Sequence, residues 1–329
     1  MRQASVASTE AATHNGGLDV TLLTGVLILA LLALMPFVTE LAGGDYVLNL
    51  VLKAMILAIA AVSLDLLIGY GGMVSFGHAA FLGLGSYVTG IALTEGMTDA
   101  LPILALLLLI CGIFAFVTGA ISLRTSGVYF IMITLAFGQM LFFSLSSLSS
   151  YGGDDGLTLW DTPSLFGFAV FQAGSGLFYS TLVILGVTWL FVGRLSVSRF
   201  GRVLRAGKEN PVRVGTLGFD IFRYRLVAYV IAGLLAGIAG FLTACQAEFV
   251  SPSTAAWQNS GNLIIMVVLG GMGTRNGALL GAMFVVLIEE SLSLITHEWK
   301  LIFGPLLVLI VLFARGGLAS LLPRSGGRS

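Results

Sequence analysis

Residues 101–122 read LPILALLLLICGIFAFVTGAIS and contain no charged side chain. A run of this kind matches the roughly 20 apolar residues that a helix needs to cross the hydrocarbon core of a bilayer. Comparable runs recur between Val20 and Ala314, and because backbone polar groups must be satisfied internally in lipid, they predict helices. The predicted spans are residues 20–38, 47–68, 76–93, 101–122, 128–148, 176–193, 226–247, 260–272, 277–295 and 300–314.

The sequence therefore predicts an all-α fold, a polytopic transmembrane helical bundle with eight to ten membrane segments. The chain of 329 residues is 57% hydrophobic and 10% charged, whereas a soluble domain needs far more charge to cover its surface. Spans 76–93 and 260–272 are Gly-rich or short, and we expect broken or re-entrant helices there.

Basic residues concentrate in alternate connections between these spans. Loop 194–225 carries eight of them, and others lie between spans 101–122 and 128–148, just before span 277–295, and in the C-terminal tail, while the remaining connections are acidic. The positive-inside rule then places the basic connections and both termini in the cytoplasm. The predicted domains are a disordered cytoplasmic tail over 1–19, a transmembrane domain over 20–314 and a cytoplasmic tail over 315–329. Span 20–38 is too long for a typical signal sequence, which favours a retained first helix.

The longest basic connection contains, over residues 199–225, the sequence RFGRVLRAGKENPVRVGTLGFDIFRYR, with seven of the sixteen Lys and Arg of the chain. Membrane orientation alone explains its charge. It does not explain the length or the Gly and Pro punctuation, because a tight turn needs only a few residues. The loop therefore favours a docking surface that includes a small helix. Gly218, between the apolar Leu217 and Phe219, is predicted to need close backbone approach or a positive φ.

Two Gly-Gly-Met motifs, at residues 71–73 and 270–272, each follow a predicted span and favour a parallel internal repeat. Consecutive glycines weaken a helix and free backbone N–H and C=O groups, which are tolerated only inside protein or beside a cavity. A zwitterionic solute can use such groups. This gives as candidates for the substrate pathway Gly71, Gly72, Gly270, Gly271 and Gly273.

Ionisable residues inside the predicted spans are the second group of pathway candidates. Asp65 and His78 are expected near the cytoplasmic ends of their spans, where they can pair, and a buried hydrogen-bonded brace is the alternative role. Glu289 and Glu290 are adjacent, so their side chains point about 100° apart on a helix. At least one of the two should face the interior of the bundle.

No motif in the chain indicates an enzyme. Loop 194–225 lacks the glycine and the Ser or Thr of a P-loop, and no hydrolase, zinc-protease or C-x-x-C motif occurs elsewhere. Cys111 and Cys245 fall in apolar runs, where they are expected to be inert packing residues. The three His are far apart in sequence, so that we expect no metal site and no cofactor. No nucleic-acid footprint is visible either.

Four stretches carry a resemblance to a known family. They are SLDLLIGYGGMVSFGHAAFLGLGSY (63–87), RTSGVYFIMITLAFGQM (124–140) with YGGDDGL (151–157), KENPVRVGTLGFDIFRYRLVAYVIAGLLAGIAGFL (208–242) and LGGMGTRNGALLGA (269–282). Over about residues 48–322 the chain resembles the branched-chain amino-acid permeases of bacterial ABC importers, specifically the second of the two permeases that such systems pair.

The resemblance implies a transport subunit in the bacterial inner membrane that imports branched-chain or related amino acids by alternating access. Its implied partners are a second permease subunit forming a heterodimer, two cytoplasmic ATPase subunits that hydrolyse ATP, and a periplasmic substrate-binding protein. Loop 194–225 would be the coupling loop that docks into an ATPase. Its expected contact residues are Lys208, Glu209, Asn210, Arg213, Leu217, Gly218 and Asp220.

Three other functions stay open from the sequence. Related permeases carry urea, short amides or aromatic acids. An ion-coupled secondary transporter of small polar solutes would use Asp65 or the Glu289–Glu290 pair as its coupling site. A membrane-bound scaffold or receptor is the most distant alternative.

Overall fold

The computed structural model describes residues 21–42, 45–296, 298–313 and 317–321. In this part of the chain α-helices dominate, and the strands are a single short antiparallel pair, β1 (Leu157–Thr158) and β2 (Phe249–Val250). The predicted all-α polytopic bundle is thus confirmed. The tails predicted over 1–19 and 315–329 lie outside the described residues, apart from a 3-10 turn at Leu318–Leu321.

The helices follow one another with short connections, except between α6 and α7. A π-helical segment, Leu66–Tyr70, directly continues α3. In chain order the helices are α1 (21–33), α2 (Met35–Ala42), α3 (Asp45–Asp65), α4 (His78–Thr94), α5 (Ala100–Ser122), α6 (Val128–Ser146), α7 (Ser175–Val197), α8 (Arg199–Glu209), α9 (Pro211–Thr216), α10 (Ile221–Ala247), α11 (Trp257–Gly270), α12 (Gly277–Ile295) and α13 (Trp299–Phe313).

The ten predicted spans all coincide with helices of this bundle, with bounds shifted by a few residues. Within the described residues, six helices are long and apolar enough to cross a membrane: Tyr46–Tyr70, Ala100–Ser122, Val128–Ser146, Ser175–Val197, Ile221–Ala247 and Gly277–Ile295. Shorter apolar helices cover Thr21–Phe37, His78–Thr94 and Trp299–Ile310, and α11 has 14 residues. The span count is consistent with the predicted eight to ten.

The basic connections meet at one end of the bundle, which we call the basic end. Lys208 Nζ, before α9, donates a hydrogen bond to the carbonyl oxygen of Gly69, at the end of α3 (2.8 Å). Asn276, before α12, donates through Nδ2 to the carbonyl oxygen of Thr21 in the first helix (2.9 Å). Gly317 packs against the Gly270–Gly271 backbone. The first helix therefore begins at the same end at which the last described residues lie.

The acidic connections meet at the opposite end, which we call the acidic end. The Tyr151 hydroxyl, beyond α6, donates to Glu95 Oε1, beyond α4 (2.9 Å), and this hydrogen bond with the nearby Glu95 charge raises the pKa of the exposed Tyr151. β1 follows the same connection and pairs with β2, which follows α10. The separation of basic and acidic connections agrees with the alternation predicted from the charge pattern.

Two helices begin inside the bundle rather than at its ends, as the short, Gly-rich spans predicted. Residues 71–77 lead non-helically from the basic end to His78, which begins α4 beside Ser63 of α3. The lead-in to α11 comes from the acidic end and contains a short 3-10 turn, Pro252–Ala255. The two first turns meet where Ala79 N–H donates to Ser260 Oγ (2.9 Å). Both Gly-Gly-Met motifs lie at the basic end, and the helices that precede them, α3 and α11, both run towards that end, whereas the broken helices α4 and α11 enter from opposite ends. The parallel repeat stays a prediction.

Glycines allow the central helices to pack backbone to backbone. A Cβ on Gly240 of α10 would overlap the carbonyl oxygen of Leu82 in α4, and a Cβ on Gly85 would overlap the carbonyl oxygen of Gly237. Small residues permit this approach in membrane bundles, where packing and hydrogen bonds replace the hydrophobic effect as the driving force. Since α3 is largely buried and α5 and α6 expose most of their surface, α3, α4 and α10 form the centre of the fold.

Candidate functional site

The basic loop, which we define as residues 198–220, folds into the two short helices α8 and α9. Ser198 Oγ caps α8 by accepting a hydrogen bond from Gly201 N–H. Asn210 Oδ1 caps α9 by accepting from Arg213 N–H (3.0 Å), and Pro211 occupies the first position of α9. Both devices are common helix starts, because they satisfy or remove the free N–H groups of a first turn. Asn210 is thus occupied in shaping the loop.

The inner face of the basic loop is anchored to the bundle. Leu204 and Val214 are buried, and Gly207 packs against the Ile221 side chain. The Arg225 guanidinium, in α10, donates to the carbonyl oxygen of Gly207 (3.0 Å). These contacts join α8 to the start of α10.

The outer face of the basic loop presents apolar side chains next to charged ones. Val212, Leu217 and Phe219 are 76%, 70% and 42% exposed. Glu209 and Arg213 are exposed beside them, and Asp220 pairs with Arg223 at 2.9 Å. Exposed apolar side chains rimmed by polar ones are typical of interaction sites.

Gly218 has a positive φ, +87°, which is one of the two alternatives predicted for it. A Cβ there would meet nothing within 4 Å, so no close backbone approach excludes a side chain. Glycine is favoured at this position because of its backbone conformation. The loop turns at this residue between α9 and α10.

Lys208 is exposed, but its side chain runs along the surface of the bundle towards the end of α3. Its aliphatic chain packs against Gly72, at the first Gly-Gly-Met motif, and its Nζ reaches the Gly69 carbonyl oxygen. Gly69 lies in the π-helical segment at the end of α3. π-Helical turns expose carbonyl groups and occur often at functional sites. Lys208 therefore joins the basic loop to the end of α3.

Asp65 completes this connection by bonding to the second glycine motif. Its Oδ1 accepts a hydrogen bond from Gly273 N–H (2.8 Å), and a Cβ on Gly69 would overlap both Asp65 Oδ1 and the Gly273 backbone. We call Asp65, Gly69, Lys208 and Gly273 the junction. It links three segments of the basic end: α3, the basic loop, and the connection between α11 and α12.

The other glycines of the two motifs also lie near the junction. Gly72 (φ +67°) lines a small pocket of about 120 Å³ at the basic end with Arg225. The carbonyl oxygen of Gly271 (φ +111°) accepts a hydrogen bond from Thr274 Oγ1 (2.7 Å). Gly270 lies against Gly277, and Gly71 against Met73 and the Leu67 carbonyl. Several backbone groups of the two motifs therefore make contacts within the protein.

His78 pairs with Ser63, not with Asp65. Its Nε2 lies 2.8 Å from Ser63 Oγ, and its ring contacts Phe81 edge-on. Among the described residues no hydrogen bond joins Asp65 and His78; both side chains are buried and hydrogen-bonded elsewhere, as in the alternative role of a brace. Asp65 reaches the connection between α11 and α12, whereas His78 reaches Ser63 near the end of α3.

Replacing Asp65 with Ala is expected to lower the free energy of unfolding by about 1–3 kcal/mol, because the Gly273 N–H loses its acceptor. Asp65→Asn is the matched control, since its amide oxygen can still accept that hydrogen bond. Thermal unfolding of both variants in one detergent, at matched expression, gives the comparison. An Asp65→Ala variant as stable as the parent chain would show that the junction adds nothing to stability.

The two adjacent glutamates diverge, as their spacing on a helix predicts. Glu289 lines a cavity of about 230 Å³ that is enclosed by α3, α4, α10, α11, α12 and the 3-10 turn before α11. Lys53 of α3 lines the same cavity. Glu290 turns to the Tyr46 hydroxyl instead, outside that cavity. We call this space the charged cavity.

Lys53 is the residue of this cavity that the sequence analysis missed. The sequence does contain a signal for it, because Lys53 is an isolated basic residue inside the predicted span 47–68, and an intramembrane charge marks a pathway or a paired site. Of the other pathway candidates, Asp65, His78 and the motif glycines do not line the charged cavity. Within the described part of the chain, no group of three His, Cys, Asp or Glu could hold a metal ion.

Comparison with known proteins agrees with this architecture. The chain is 28% identical to the high-affinity branched-chain amino acid transport system permease protein LivM of Escherichia coli over 319 residues, covering 89% of this chain and 73% of that protein. It is 26% identical over 310 residues to the probable branched-chain amino acid transport permease protein LivM of Methanocaldococcus jannaschii, covering 79% and 89%. No solved structure matches the chain significantly.

The chain is also similar to other transport permeases. The probable LivH permease of Methanocaldococcus jannaschii is 34% identical over 163 residues, 46% of this chain and 47% of that one. The autoinducer 2 import system permease protein LsrC of Photorhabdus luminescens is 27% identical over 265 residues, 74% and 73%. The family model for the permease component of branched-chain amino acid transport systems matches residues 46–312, that is α3 to α13. Because this match covers most of the membrane bundle, the chain belongs to the family of branched-chain amino acid transport permeases.

Proposed function

We propose that the chain is the permease subunit of an ABC importer that takes up branched-chain or related amino acids by alternating access. The observation that carries this proposal is the family match over residues 46–312. The chain itself is a transport subunit, and ATP hydrolysis belongs to two separate ATPase subunits.

In this proposal the basic loop docks into one ATPase. Its exposed apolar face, Val212, Leu217 and Phe219, supplies the contact, and its buried face holds it to α10. Movement of the docked loop would pull on Lys208 and through it on Gly69 and α3. Such a contiguous chain of contacts is what coupling between two sites requires physically.

The remaining partners and the orientation follow from the two ends of the bundle. Because Lys and Arg gather in cytoplasmic loops, the basic end would face the cytoplasm together with both termini. The acidic end would then face a periplasmic substrate-binding protein across the inner membrane. A second permease subunit would complete the pathway as a heterodimer, which is supported by similarity of the chain to permeases of both the LivM and the LivH name.

A related solute other than an amino acid is the second candidate substrate. The similarity to LsrC permeases, whose name gives autoinducer 2 as the imported compound, favours keeping this alternative. The charged side chains of the cavity favour a zwitterionic solute over a neutral one, since ammonium and carboxylate groups complement Glu289 and Lys53.

The energy source distinguishes this proposal from an ion-coupled transporter. Uptake of radiolabelled leucine should survive collapse of the proton and sodium gradients while ATP is held constant. It should stop when the partner ATPase loses its P-loop lysine, because in this proposal ATP hydrolysis belongs to the partner. Proteoliposomes that contain the assembled subunits and the binding protein allow both measurements. Uptake that follows the proton gradient would overturn the proposal and point to a secondary transporter.

A further inference from the structure

The charged cavity brings together two opposite charges, those of Lys53, which is exposed, and of Glu289, which is half-buried. Lys53 lies eight residues from the start of α3, and Glu289 lies six residues from the end of α12. At about 1.5 Å per residue, both lie about 9–12 Å from the acidic end of their helices. They therefore face the same space at similar depth.

Neither charge is neutralised by direct contact with the protein. Lys53, and also Lys300 at the start of α13, lie near enough to act electrostatically on Glu289. Yet among the described residues no hydrogen bond and no ion pair within 4.0 Å engages either side chain, since the only ion pair there joins Arg223 and Asp220. Charged side chains inside a membrane bundle normally pair with one another or serve a pathway. In this cavity Lys53 and Glu289 form no ion pair with each other.

The rest of the lining is divided by chemistry. Leu57, Leu82, Leu263 and Met266 form an apolar wall, and Asn259 and Asn262, in the first turns of α11, contribute amides. Asn259 Nδ2 is occupied by the carbonyl oxygens of Ser253 and Thr254. Asn262 is exposed to the cavity opening and has no hydrogen-bond partner within the described residues.

We propose that the charged cavity is a binding subsite for a free aliphatic amino acid on its way through the permease. Glu289 would receive the α-ammonium group and Lys53 the α-carboxylate, which an amino acid carries on one carbon. The branched side chain would lie on the wall of Leu57, Leu82 and Leu263. The cavity volume of about 230 Å³ is that of several water molecules, each of which occupies about 30 Å³ in the liquid. The cavity therefore has room for one such solute. This inference rests on the proposed function, because it names where that function's substrate binds.

The first test measures binding without transport. Asn262→Cys, in a background in which the buried Cys111 and Cys245 are replaced by Ala, places one reactive thiol at the cavity opening. The full chain is purified with its co-assembling subunits in the absence of ATP, and modification by a small charged thiol reagent is timed. Leucine should slow the reaction, whereas leucinamide, which lacks the carboxylate, and 4-methylpentanoate, which lacks the ammonium, should not.

Two outcomes of this test overturn the subsite. Protection by phosphatidylethanolamine but not by leucine would assign the cavity to a lipid headgroup. A thiol that never reacts in the assembled complex would show that a partner subunit covers the cavity. Because no ATP hydrolysis is involved, leucine protection in a complex without ATP-driven leucine uptake would contradict the proposed function and leave the subsite standing.

The second test separates ligand binding from a structural brace. Lys53→Met and Glu289→Gln should each raise the leucine concentration for half-protection about tenfold or more, as expected for one lost charge-assisted hydrogen bond. Glu290→Gln is the matched control on the same helix, and it should leave protection unchanged. The double variant Lys53→Met/Glu289→Gln should bind no better than either single variant.

A brace predicts a different pattern, because removing one member of a structural pair leaves a lone charge that removal of the second relieves. Single variants that lose thermal stability, a double variant that regains it, and leucine protection that stays unchanged in all three would together overturn the proposal.

Discussion

Gly240→Leu is expected to abolish recovery of the folded permease. A Cβ at this position overlaps the carbonyl oxygen of Leu82, and a backbone atom cannot rotate out of the way as a side chain can. Overpacking of a core usually costs about 1–3 kcal/mol when side chains can move, and here α4 and α10 would have to separate along their length. Proteins are stable by only about 5–15 kcal/mol. We therefore expect loss of the monodisperse peak in size-exclusion chromatography of detergent-solubilised protein.

Gly186→Leu in α7 is the matched control for this prediction. A Cβ there meets only the Leu29 Cδ1 atom at 3.7 Å, an ordinary contact. The control variant should be recovered like the parent chain. If Gly240→Leu were recovered and unfolded at the parent temperature as well, the close α4–α10 contact would have to be wrong.

Gly218→Leu is expected to abolish transport while leaving the bundle folded. The backbone at Gly218 has φ +87°, where a residue with a Cβ costs about 1–2 kcal/mol, so that a Leu would shift the turn that carries Leu217 and Phe219. The position lies outside the membrane segments with no neighbour within 4 Å. Thermal stability should therefore change little. Leucine uptake and co-purification of the ATPase should fall about tenfold or more, as for loss of an interface hot spot.

Gly218→Asn separates backbone strain from side-chain bulk, because Asn tolerates a positive φ better than other residues with a Cβ. It should retain more uptake than Gly218→Leu. Arg202→Ala should be mild, since Arg202 is one of many basic residues at this end. Normal uptake and normal assembly in Gly218→Leu would reduce the basic loop to an orientation signal.

The helices were predictable because each span is decided by its own residues. A run such as 101–122 cannot leave its backbone polar groups unpaired in lipid, so it becomes a helix whatever surrounds it. The same locality made the positive φ of Gly218 predictable. It did not help with Asp65 and His78, whose partners, Gly273 and Ser63, are set by how α3 packs against the connection to α12 and against α4.

The sequence by itself determined the place of the membrane helices, the separation into a basic and an acidic end, and the existence of a folded loop. These depend on hydropathy, charge count and local backbone preference, which act over one turn or one span. Only the tertiary structure decided that Lys208 reaches Gly69 and that Lys53 and Glu289 face one cavity. Such pairings join residues more than a hundred positions apart, and they depend on helix rotation and depth, which the close glycine contacts fix and hydropathy does not encode.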